Sequence, residues 1–354
     1  MEYRYLGNSG LKVSAIAYGD MISQETEEYQ QKTQEIINKC FEAGVNFFDS
    51  AEFYGENGAH EKVLGKALKA SGKQRSEYVV TTKLYFTDIK ALVHKPNASG
   101  LSRKHLLEGL NKSLTRLQLD YVDIVYCSRP DPTVPMDEVV LSMKHLMEKN
   151  KTLYWATSEW SAAEIIHAYW MCEKYGVPKP IAEQVQYNML LRDRFEVEHA
   201  YLFDKYNLGT TTWGTLSGGL LTGKLLDESF DRKGTRYEGP FNDHIYQFAR
   251  YLGPDNIEST KKMFAGLAEV GNEFGLTTAE LAIAWALKNK NVSTAVLGLS
   301  KPSHLESALK PVRAYTKLTK EHEEKIDSIL KTAPDYGINW KTFSEKTPRR
   351  YKFY

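Results

Sequence analysis

The stretch that decides the fold is the first apolar run of the chain, VSAIAYG (residues 13–19), together with DMIS (residues 20–23), which follows it. In a doubly wound nucleotide-binding sheet, the first strand runs into a G-x-G-x-x-G turn that opens a helix. Here the run ends in one glycine and continues into residues that cannot form such a turn. The doubly wound sheet stays open as the alternative architecture, but this junction argues against it.

The rest of the chain repeats the pattern of a short apolar run followed by a segment with helical spacing. Eight such runs occur, at residues 13–19, 45–51, 78–84, 121–128, 152–159, 182–188, 210–216 and 293–300. The segments with helical spacing include residues 35–43, 60–68, 102–117, 136–148, 162–175, 197–206, 257–274 and 278–288. Alternating strands and helices indicate a parallel sheet of the α/β class. Eight units predict a closed (β/α)8 TIM barrel.

Three further features complete the predicted architecture. YRYLGNSGLKVS (residues 3–14) indicates an N-terminal β-hairpin, and Thr277 with Glu280 has the pattern of a helix N-cap and its acidic partner. Two long irregular segments, residues 85–100 and 227–256, follow the third and seventh strands, so both are expected at the C-terminal face, the second as a lid. We predict one barrel domain, residues 1–335, and a C-terminal tail, residues 336–354.

Composition excludes several classes of protein. Of 354 residues, 42% are hydrophobic and 26% charged, which is typical of a globular chain with a large core. The formal charge is +1, so the basic excess of a nucleic-acid or membrane-surface binder is missing. Three distant cysteines and nine histidines without ligand spacing predict neither a disulfide nor a metal site. We find no apolar run long enough to span a bilayer and no apolar signal core, and expect a cytoplasmic protein.

Polar residues stand at the ends of the predicted strands, where a barrel carries its chemistry. Asp49 ends the second strand and Tyr54 follows it, Lys83 ends the third, and Ser128 ends the fourth. Further strand-end candidates are Ser158, Glu159, Glu183, Gln184, Trp213, Gly298 and Ser300. An acid, a phenol and an amine from neighbouring strands would therefore meet at one mouth.

This trio has a chemical logic. A tyrosine with a pKa near 10 is a poor acid at neutral pH, but a buried ammonium beside it stabilises the phenolate and lowers that pKa by roughly 1–3 units. A carboxylate keeps the lysine charged and oriented. Such a tyrosine can protonate a carbonyl oxygen while a hydride arrives from elsewhere. Because no side chain donates hydride, a nicotinamide cofactor would have to bind in the same mouth.

At this point the sequence resembles the aldo-keto reductases, and most closely the branch that contains the voltage-gated potassium-channel β-subunits. The resemblance rests on Asp49-(x4)-Tyr54, on Lys83 and on five further runs in barrel-compatible order. These runs are GLSRKHLLEGLNKSLTRLQLDYVDIVY, RPDPTVPM, YWATSEWS, EQVQYNML and LAIAWALKN…VSTAVLGLS. The resemblance as a whole covers roughly residues 1 to 330. The resemblance implies that Tyr54 is the general acid and base, and that Lys83 and Asp49 tune its pKa.

The resemblance also implies a site for NADP(H). Ser158 and Gln184 would bind the carboxamide of the nicotinamide, Trp213 would stack on its ring, and Asp49 would lie in contact with it. The other positions taken as cofactor contacts are Asp20, Met21, Gly214, Thr215, Leu216, Ser217, Gly218, Gly219, Lys224, Arg236, Gly298, Ser300, His304 and Ser307. NADP is expected over NAD because Ser300-Lys301, with His304 nearby, resembles a pocket for the adenosine 2′-phosphate.

Three departures from the family pattern stand out. Where most aldo-keto reductases have histidine, and the channel β-subunits asparagine, this chain has Ser128; its hydroxyl donates one hydrogen bond and carries no charge, so we expect slow turnover. Glu159 stands where the β-subunits have arginine, so some cofactor contacts must differ. DMIS (residues 20–23) lacks the threonine-tryptophan pair of that branch, which changes the pocket wall.

Plainer readings stay open beside these. A strand-end aspartate is often a salt-bridge residue, a serine there is often only a turn residue, and a tryptophan is often core. The function expected from the sequence is reduction of aldehydes or activated ketones, with a small carbonyl compound as the substrate. The main alternative is a cofactor-sensing regulatory β-subunit of a potassium channel with little turnover, and a third is a scaffold that has lost catalysis. The resemblance also permits a homo-oligomer, a tetramer, and a channel partner.

Overall fold

The fold is described from a computed structural model, in which residues 1–19, 21, 24–86, 96–227, 229–231, 233 and 248–336 are described. Most of the two predicted insertions and all of the tail after residue 336 lie outside these residues. The lid expected within residues 227–256 and the division into a domain of residues 1–335 and a tail stay predictions.

Eight parallel strands close into a barrel, which confirms the predicted fold and excludes the doubly wound alternative. The barrel strands are β3 (Ile16–Gly19), β4 (Phe47–Asp49), β5 (Val79–Leu84), β6 (Val122–Cys127), β7 (Thr152–Ser158), β8 (Ala182–Gln184), β9 (Gly209–Thr212) and β10 (Thr294–Gly298). They pair in chain order, and β10 closes the barrel against β3. Seven of the eight predicted runs contain one of these strands, and the run at 210–216 overlaps β9, which begins one residue earlier, at Gly209.

The first run needs one correction. The predicted hairpin is present, with β1 (Tyr3–Tyr5) paired antiparallel to β2 (Lys12–Ser14). The barrel strand therefore begins at Ile16 and not at Val13, because the first two residues of the run complete the hairpin. Leu6 of the hairpin shares a buried apolar cluster with Phe47, at the start of β4, so the hairpin covers the N-terminal end of the barrel.

Helices lie between the strands and after the last one. Those in the described part of the chain are α1 (Glu27–Glu42), α2 (Ala59–Ala70), α3 (Arg103–Leu117), α4 (Met136–Glu148), α5 (Ala162–Tyr175), α6 (Ala200–Tyr206), α7 (Phe248–Leu252), α8 (Ile257–Asn272), α9 (Thr278–Lys288), α10 (Pro302–Ala314) and α11 (Lys320–Leu330). The predicted cap is confirmed: the Thr277 hydroxyl accepts from the Glu280 N–H, and the Glu280 carboxylate accepts from the Thr277 N–H. The segment predicted at residues 197–206 is helical only from Ala200, after a π-helical turn at Arg194–Glu198.

The two-residue period of the strands decides which side chains reach the barrel interior. On β4, Phe47 belongs to the interior cluster, whereas Phe48 packs in the larger cluster between strands and helices. On β5, Val79 is likewise interior and Val80 faces the helices. Continuing this alternation towards the C-terminal ends places Asp49, Thr81 and Lys83 on the interior side. A core that is apolar at the N-terminal end is therefore polar at the mouth.

Candidate active site

The centre of the mouth is a buried ion pair between β4 and β5. The Lys83 ammonium lies 2.5 Å from Asp49 Oδ2, and the two side chains are only 2% and 1% exposed. Lys83 Nζ also donates to the Ser50 carbonyl at 2.8 Å, and Thr81 Oγ1 donates to Asp49 Oδ1 at 2.8 Å. These contacts fix the positions of both charges, since each has partners on a neighbouring strand.

The pKa of Lys83 is set by competing effects. Burial lowers it below its ordinary value of 10.5, and the Asp49 carboxylate acts in the opposite direction through its charge and its hydrogen bond. The positive charge of Arg129, one residue after Ser128, lowers it further. A lysine this deeply buried is costly unless a carboxylate faces it, so Asp49 is what allows an ammonium to stay in the mouth.

Tyr54 lies beside this pair. Its N–H donates to the Ala51 carbonyl at 3.1 Å, which turns the chain back over the mouth directly after β4. The centroid of its ring is 4.7 Å from Lys83 Nζ. The ring is half-buried and packs edge-on against Phe53 and against His60. The structure thus brings together the acid, the amine and the phenol that the sequence predicts.

Ser128 comes directly after β6, on the next strand of the barrel. It is buried, and its N–H donates to the Leu84 carbonyl at 3.0 Å, which continues the pairing of β5 with β6 beyond Cys127. On β6, Ile124 and Tyr126 belong to the interior cluster whereas Val125 and Cys127 face the helices, and continuing this alternation places Ser128 on the interior side.

Gln184 ties the predicted cofactor ligands to the ion pair. Its amide nitrogen donates to Asp49 Oδ1 at 3.1 Å and to Thr211 Oγ1 at 3.2 Å, across the barrel interior. Ser158 Oγ donates to the Gln184 carbonyl at 3.1 Å. The carboxamide ligands implied by the resemblance therefore share one hydrogen-bond network with Asp49 and Lys83, two of the four residues assigned to catalysis.

Trp213 follows β9 at the same end of the barrel and is half-buried. Its indole N–H donates to Glu159 Oε1 at 2.7 Å. The sequence identifies Glu159 only as a polar residue at a strand end and as a departure from the family pattern. Its contact with the predicted stacking ring could not be found there, because 54 residues separate the two positions.

The segment after Trp213 turns repeatedly through left-handed backbone conformations. The positive φ angles are 68° at Gly214, 47° at Ser217, 65° at Gly218, 102° at Gly219 and 77° at Gly223. The Ser217 N–H donates to the Gly214 carbonyl at 2.7 Å and the Gly219 N–H donates to the Leu216 carbonyl at 2.9 Å, so hydrogen bonds within the segment close its turns. Only glycine adopts most of these angles without strain, which accounts for the Gly-Gly pair.

A buried side chain that sequence reasoning missed braces this loop. Asn188 Nδ2 donates to the Gly214 carbonyl at 2.9 Å, and its Oδ1 accepts from the N–H groups of Leu190 and Leu191 at 2.9 and 3.0 Å. Asn188 lies within the run EQVQYNML, but the sequence alone does not indicate that its side chain braces the loop. The loop at residues 214–219, where six cofactor contacts are predicted, is thereby fixed from the segment that follows β8.

The remaining predicted cofactor contacts are spread over several elements. Gly298 ends β10 and is exposed, and a Cβ there would meet no atom within 4 Å. Ser300 Oγ lies 3.4 Å from His304 Nδ1, at the start of α10. Ser307, further along α10, donates to Glu280 Oε1 at 2.9 Å. The structure therefore groups Ser300 with His304, and Ser307 has a protein partner.

Of four further predicted cofactor contacts, two are exposed and two lie outside the described residues. Lys224 is exposed and its ammonium lies 5.5 Å from the centre of the Phe230 ring. Met21 is also exposed, and its carbonyl accepts from the Gly55 N–H at 3.3 Å. Asp20 and Arg236 lie outside the described residues.

A second buried pair, formed by the Glu52 carboxylate and the His105 imidazole, lies beside the mouth and is absent from the predicted catalytic set. Glu52 Oε1 accepts from His105 Nε2 at 2.9 Å and from the Tyr85 N–H at 2.8 Å. Both side chains are buried. The pair joins the turn after β4 to α3 and to the chain leaving β5, so it fixes the base of the 85–100 segment.

Three observations on the described residues concern disulfides, metal sites and membrane-spanning helices. All three cysteines are buried and free of disulfides. Among the residues that the structure describes, we find no group of three or more His, Cys, Asp or Glu side chains placed to hold a metal ion. Over the same residues, every helix is too short or too polar to cross a membrane.

Comparison with known proteins agrees with this geometry. The family model described as "Aldo/keto reductase family" matches residues 15–331. The chain is 43% identical over 335 residues to the "Putative voltage-gated potassium channel subunit beta" of Schizosaccharomyces pombe, covering 94% of each chain. It is 37% and 35% identical to the "Probable voltage-gated potassium channel subunit beta" of Oryza sativa and of Arabidopsis thaliana, covering 94% of this chain and 98% of each relative. The chain therefore belongs to the aldo/keto reductase family.

Proposed function

We propose that this protein is an NADP(H)-dependent oxidoreductase that reduces aldehydes or activated ketones to alcohols. The observation that carries the proposal is the buried Lys83–Asp49 ion pair beside the ring of Tyr54. A lysine, an aspartate and a tyrosine in this arrangement supply an acid of adjusted pKa, which is what reduction of a carbonyl group needs. Aldo/keto reductases generally bind NAD(P)H, which would supply the hydride when bound.

The residues of this chain have separate tasks in that reaction. The Lys83 charge stabilises phenolate at Tyr54, so the phenol releases its proton to a carbonyl oxygen more readily than an isolated tyrosine would. Asp49 keeps the ammonium charged and in place. Ser128 donates one hydrogen bond to the same oxygen. A rotating hydroxyl is a weaker donor than the histidine or asparagine of related proteins, and we therefore propose slow turnover.

The fit of a dinucleotide is supported by the loop after Trp213. Its glycines at positions 214, 218 and 219 would let a pyrophosphate approach the backbone closely, and Asn188 holds the loop in shape. Trp213 and Gln184 would hold the nicotinamide end. Ser300, Lys301 and His304 would hold the adenosine phosphate, and their positive, donor-rich character favours NADP over NAD.

A second function is favoured by the names of the relatives. They are named as voltage-gated potassium channel β-subunits. The alternative is therefore a regulatory subunit that binds the cofactor, hardly turns over and acts on a channel. A cytoplasmic location and a homo-oligomer are compatible with both functions and are part of the proposal.

The test is a titration of the protein with NADPH and with NADH, followed by tryptophan fluorescence, and then a panel of aldehydes followed at the nicotinamide absorbance. We expect NADPH to bind at least about tenfold more tightly than NADH, a difference of roughly 1.4 kcal/mol that one phosphate contact can supply. Equal affinities would contradict the assignment of the adenosine pocket. Binding of NADPH without reduction of any carbonyl in single turnovers would favour the channel-subunit alternative.

The matched variant is Tyr54→Phe, which should abolish aldehyde reduction and leave the affinity for NADPH within a few-fold, because the phenol acts on the substrate. Tyr5→Phe is the control, since Tyr5 is an exposed tyrosine of the hairpin. Reduction by Tyr54→Phe at the rate of the unmodified protein would refute the mechanism.

A further inference from the structure

Glu159 is held in an unusual backbone conformation at the end of β7. Its φ is 61°, in the left-handed region that few residues other than glycine adopt. Its side chain is only 16% exposed. A non-glycine residue persists in this region when its surroundings fix it, so the contacts of Glu159 need an explanation.

The carboxylate joins three neighbouring strand ends. Glu159 Oε1 accepts from the indole N–H of Trp213 at 2.7 Å and from the Gln186 N–H at 2.8 Å. The main chains of Trp213 and Gln186 are also paired, beyond the ends of β8 and β9. There the main-chain N–H of Trp213 donates to the Val185 carbonyl, and the main-chain N–H of Tyr187 donates to the Trp213 carbonyl. Glu159 therefore fixes the indole and the strand segment beside it.

Arg194 neutralises the charge of this carboxylate. Its Nη1 lies 2.7 Å from Glu159 Oε2 and 3.4 Å from the Glu159 carbonyl. The same guanidinium lies 3.6 Å from Glu198, within one turn of helix. Both oxygens of Glu159 thus have donors, and the acceptor of the indole N–H is anchored from the opposite side.

We propose that Glu159 is a positioning residue that orients the indole of Trp213 for stacking on the nicotinamide ring, with Arg194 as its counter-ion. This inference rests on the proposed function. An indole N–H can only donate, so it needs an acceptor such as this carboxylate. Arg194 supplies the positive charge that allows the carboxylate to stay ionised in a site only 16% exposed.

The contact between Glu159 and Trp213 also orients the start of the glycine-rich loop at residues 214–219. Gly214 follows Trp213 with φ of 68°, and a Cβ on it would lie 3.1 Å from Gln186 Cγ. Since Glu159 binds both the indole of Trp213 and the N–H of Gln186, losing it would release the ring and the first residue of the loop together. The expected consequence is weaker cofactor binding, with the barrel itself still folded.

The test is a double-mutant cycle between positions 159 and 213. Glu159→Leu removes the acceptor, and Glu159→Gln keeps a carbonyl oxygen that can accept from the indole. Trp213→Phe keeps an aromatic ring but has no N–H. The measurements are the affinity for NADPH, the near-ultraviolet circular dichroism of the protein without nucleotide, and the thermal midpoint.

We expect Glu159→Leu to weaken NADPH binding by roughly five- to tenfold and Glu159→Gln by less than about threefold, in line with loss and retention of one hydrogen bond. In the Trp213→Phe background the indole contact is already absent and only the contact with the Gln186 N–H remains to be lost, so Glu159→Leu should weaken binding by less than about threefold. The single variant Glu159→Leu should release the indole, so its near-ultraviolet circular dichroism should approach that of Trp213→Phe. The control is Glu198→Leu, which removes the other carboxylate beside Arg194 and should leave NADPH binding unchanged.

The results separate the two proposals. If the unmodified protein binds NADPH and Glu159→Leu weakens binding equally in both backgrounds, Glu159 does not act through the indole and its role is overturned. Unchanged affinity in Glu159→Leu and Glu159→Gln overturns it as well. If the unmodified protein binds neither nucleotide, the proposed function itself fails, and the role of Glu159 with it.

Discussion

Replacing Lys83 by methionine should cost stability as well as activity. The substitution keeps most of the apolar stem and removes the charge, so that Asp49, only 1% exposed, is left as a buried carboxylate without its cation. Removing one partner of a buried ion pair typically costs about 3–5 kcal/mol. Asp49 would keep the hydrogen bonds from Thr81 and Gln184. We therefore expect a loss near the lower limit, about 3 kcal/mol.

The assay is urea unfolding near pH 7.5, followed by circular dichroism. Lys62→Met is the matched control, because Lys62 lies 2.6 Å from Glu25 in a pair whose side chains are 32% and 48% exposed. Exposed pairs typically contribute about 0.2–1 kcal/mol, so this variant should unfold at nearly the original urea concentration. The double variant Lys83→Met/Asp49→Asn should recover most of the loss, because it leaves no buried charge.

Two results would refute this reasoning. If Lys83→Met is no less stable than Lys62→Met, burial does not increase the contribution of the ion pair to the free energy of unfolding. If the double variant is as unstable as Lys83→Met alone, the loss comes from packing around the lysine stem and not from the unpaired carboxylate of Asp49.

Three further predictions concern other parts of the site. Ser128→Asn should raise the single-turnover rate of carbonyl reduction, because an amide is a better-fixed donor to the developing alkoxide; an unchanged rate would place Ser128 only in the pocket wall. Ser300→Ala with Lys301→Ala should reduce the preference for NADPH over NADH in fluorescence titrations, and a preserved ratio would move the phosphate pocket elsewhere. Burial raises the pKa of Glu183 well above its ordinary 4.5, so the folded state keeps a proton that the unfolded chain releases near that pH. The contribution of this group to the free energy of unfolding is therefore complete below pH 4.5 and falls as pH rises. In urea unfolding at pH 5 and pH 8, Glu183→Gln should reduce the difference between the two free energies of unfolding. An equal difference in the variant and the unmodified protein would contradict a raised pKa of Glu183.

The barrel could be predicted from sequence because strand and helix periods alternate clearly along the chain. Phe47 and Phe48 are equally apolar, yet the two-residue period separates them into the interior and the outer cluster, and Asp49 follows on the interior side. Boundaries were less accurate where two elements share one apolar run. Val13 belongs to the hairpin, and only its antiparallel pairing with Arg4 shows that.

The candidate site was only partly predictable for a related reason. Asp49, Tyr54 and Lys83 are recognisable because each stands at a strand end with a residue type that suits the chemistry. Glu159 and Trp213 also stand at strand ends. Their hydrogen bond, however, depends on barrel register and on a left-handed backbone angle, neither of which a pattern of residue types encodes.

The hydrogen bonds at the mouth also change how variants of this site should be interpreted. From sequence, the residues that tune the acid and the residues that hold the cofactor have only Asp49 in common. In the structure, Gln184 Nε2 donates to Asp49 Oδ1 at 3.1 Å, and Asp49 Oδ2 lies 2.5 Å from Lys83 Nζ. A change at Gln184 therefore alters the environment of the ion pair as well as the proposed carboxamide contact. Effects of residues in one network are not additive, so a loss of turnover in such a variant combines an effect on binding with an effect on proton transfer, and a double-mutant cycle between Gln184 and Asp49 is needed to separate them.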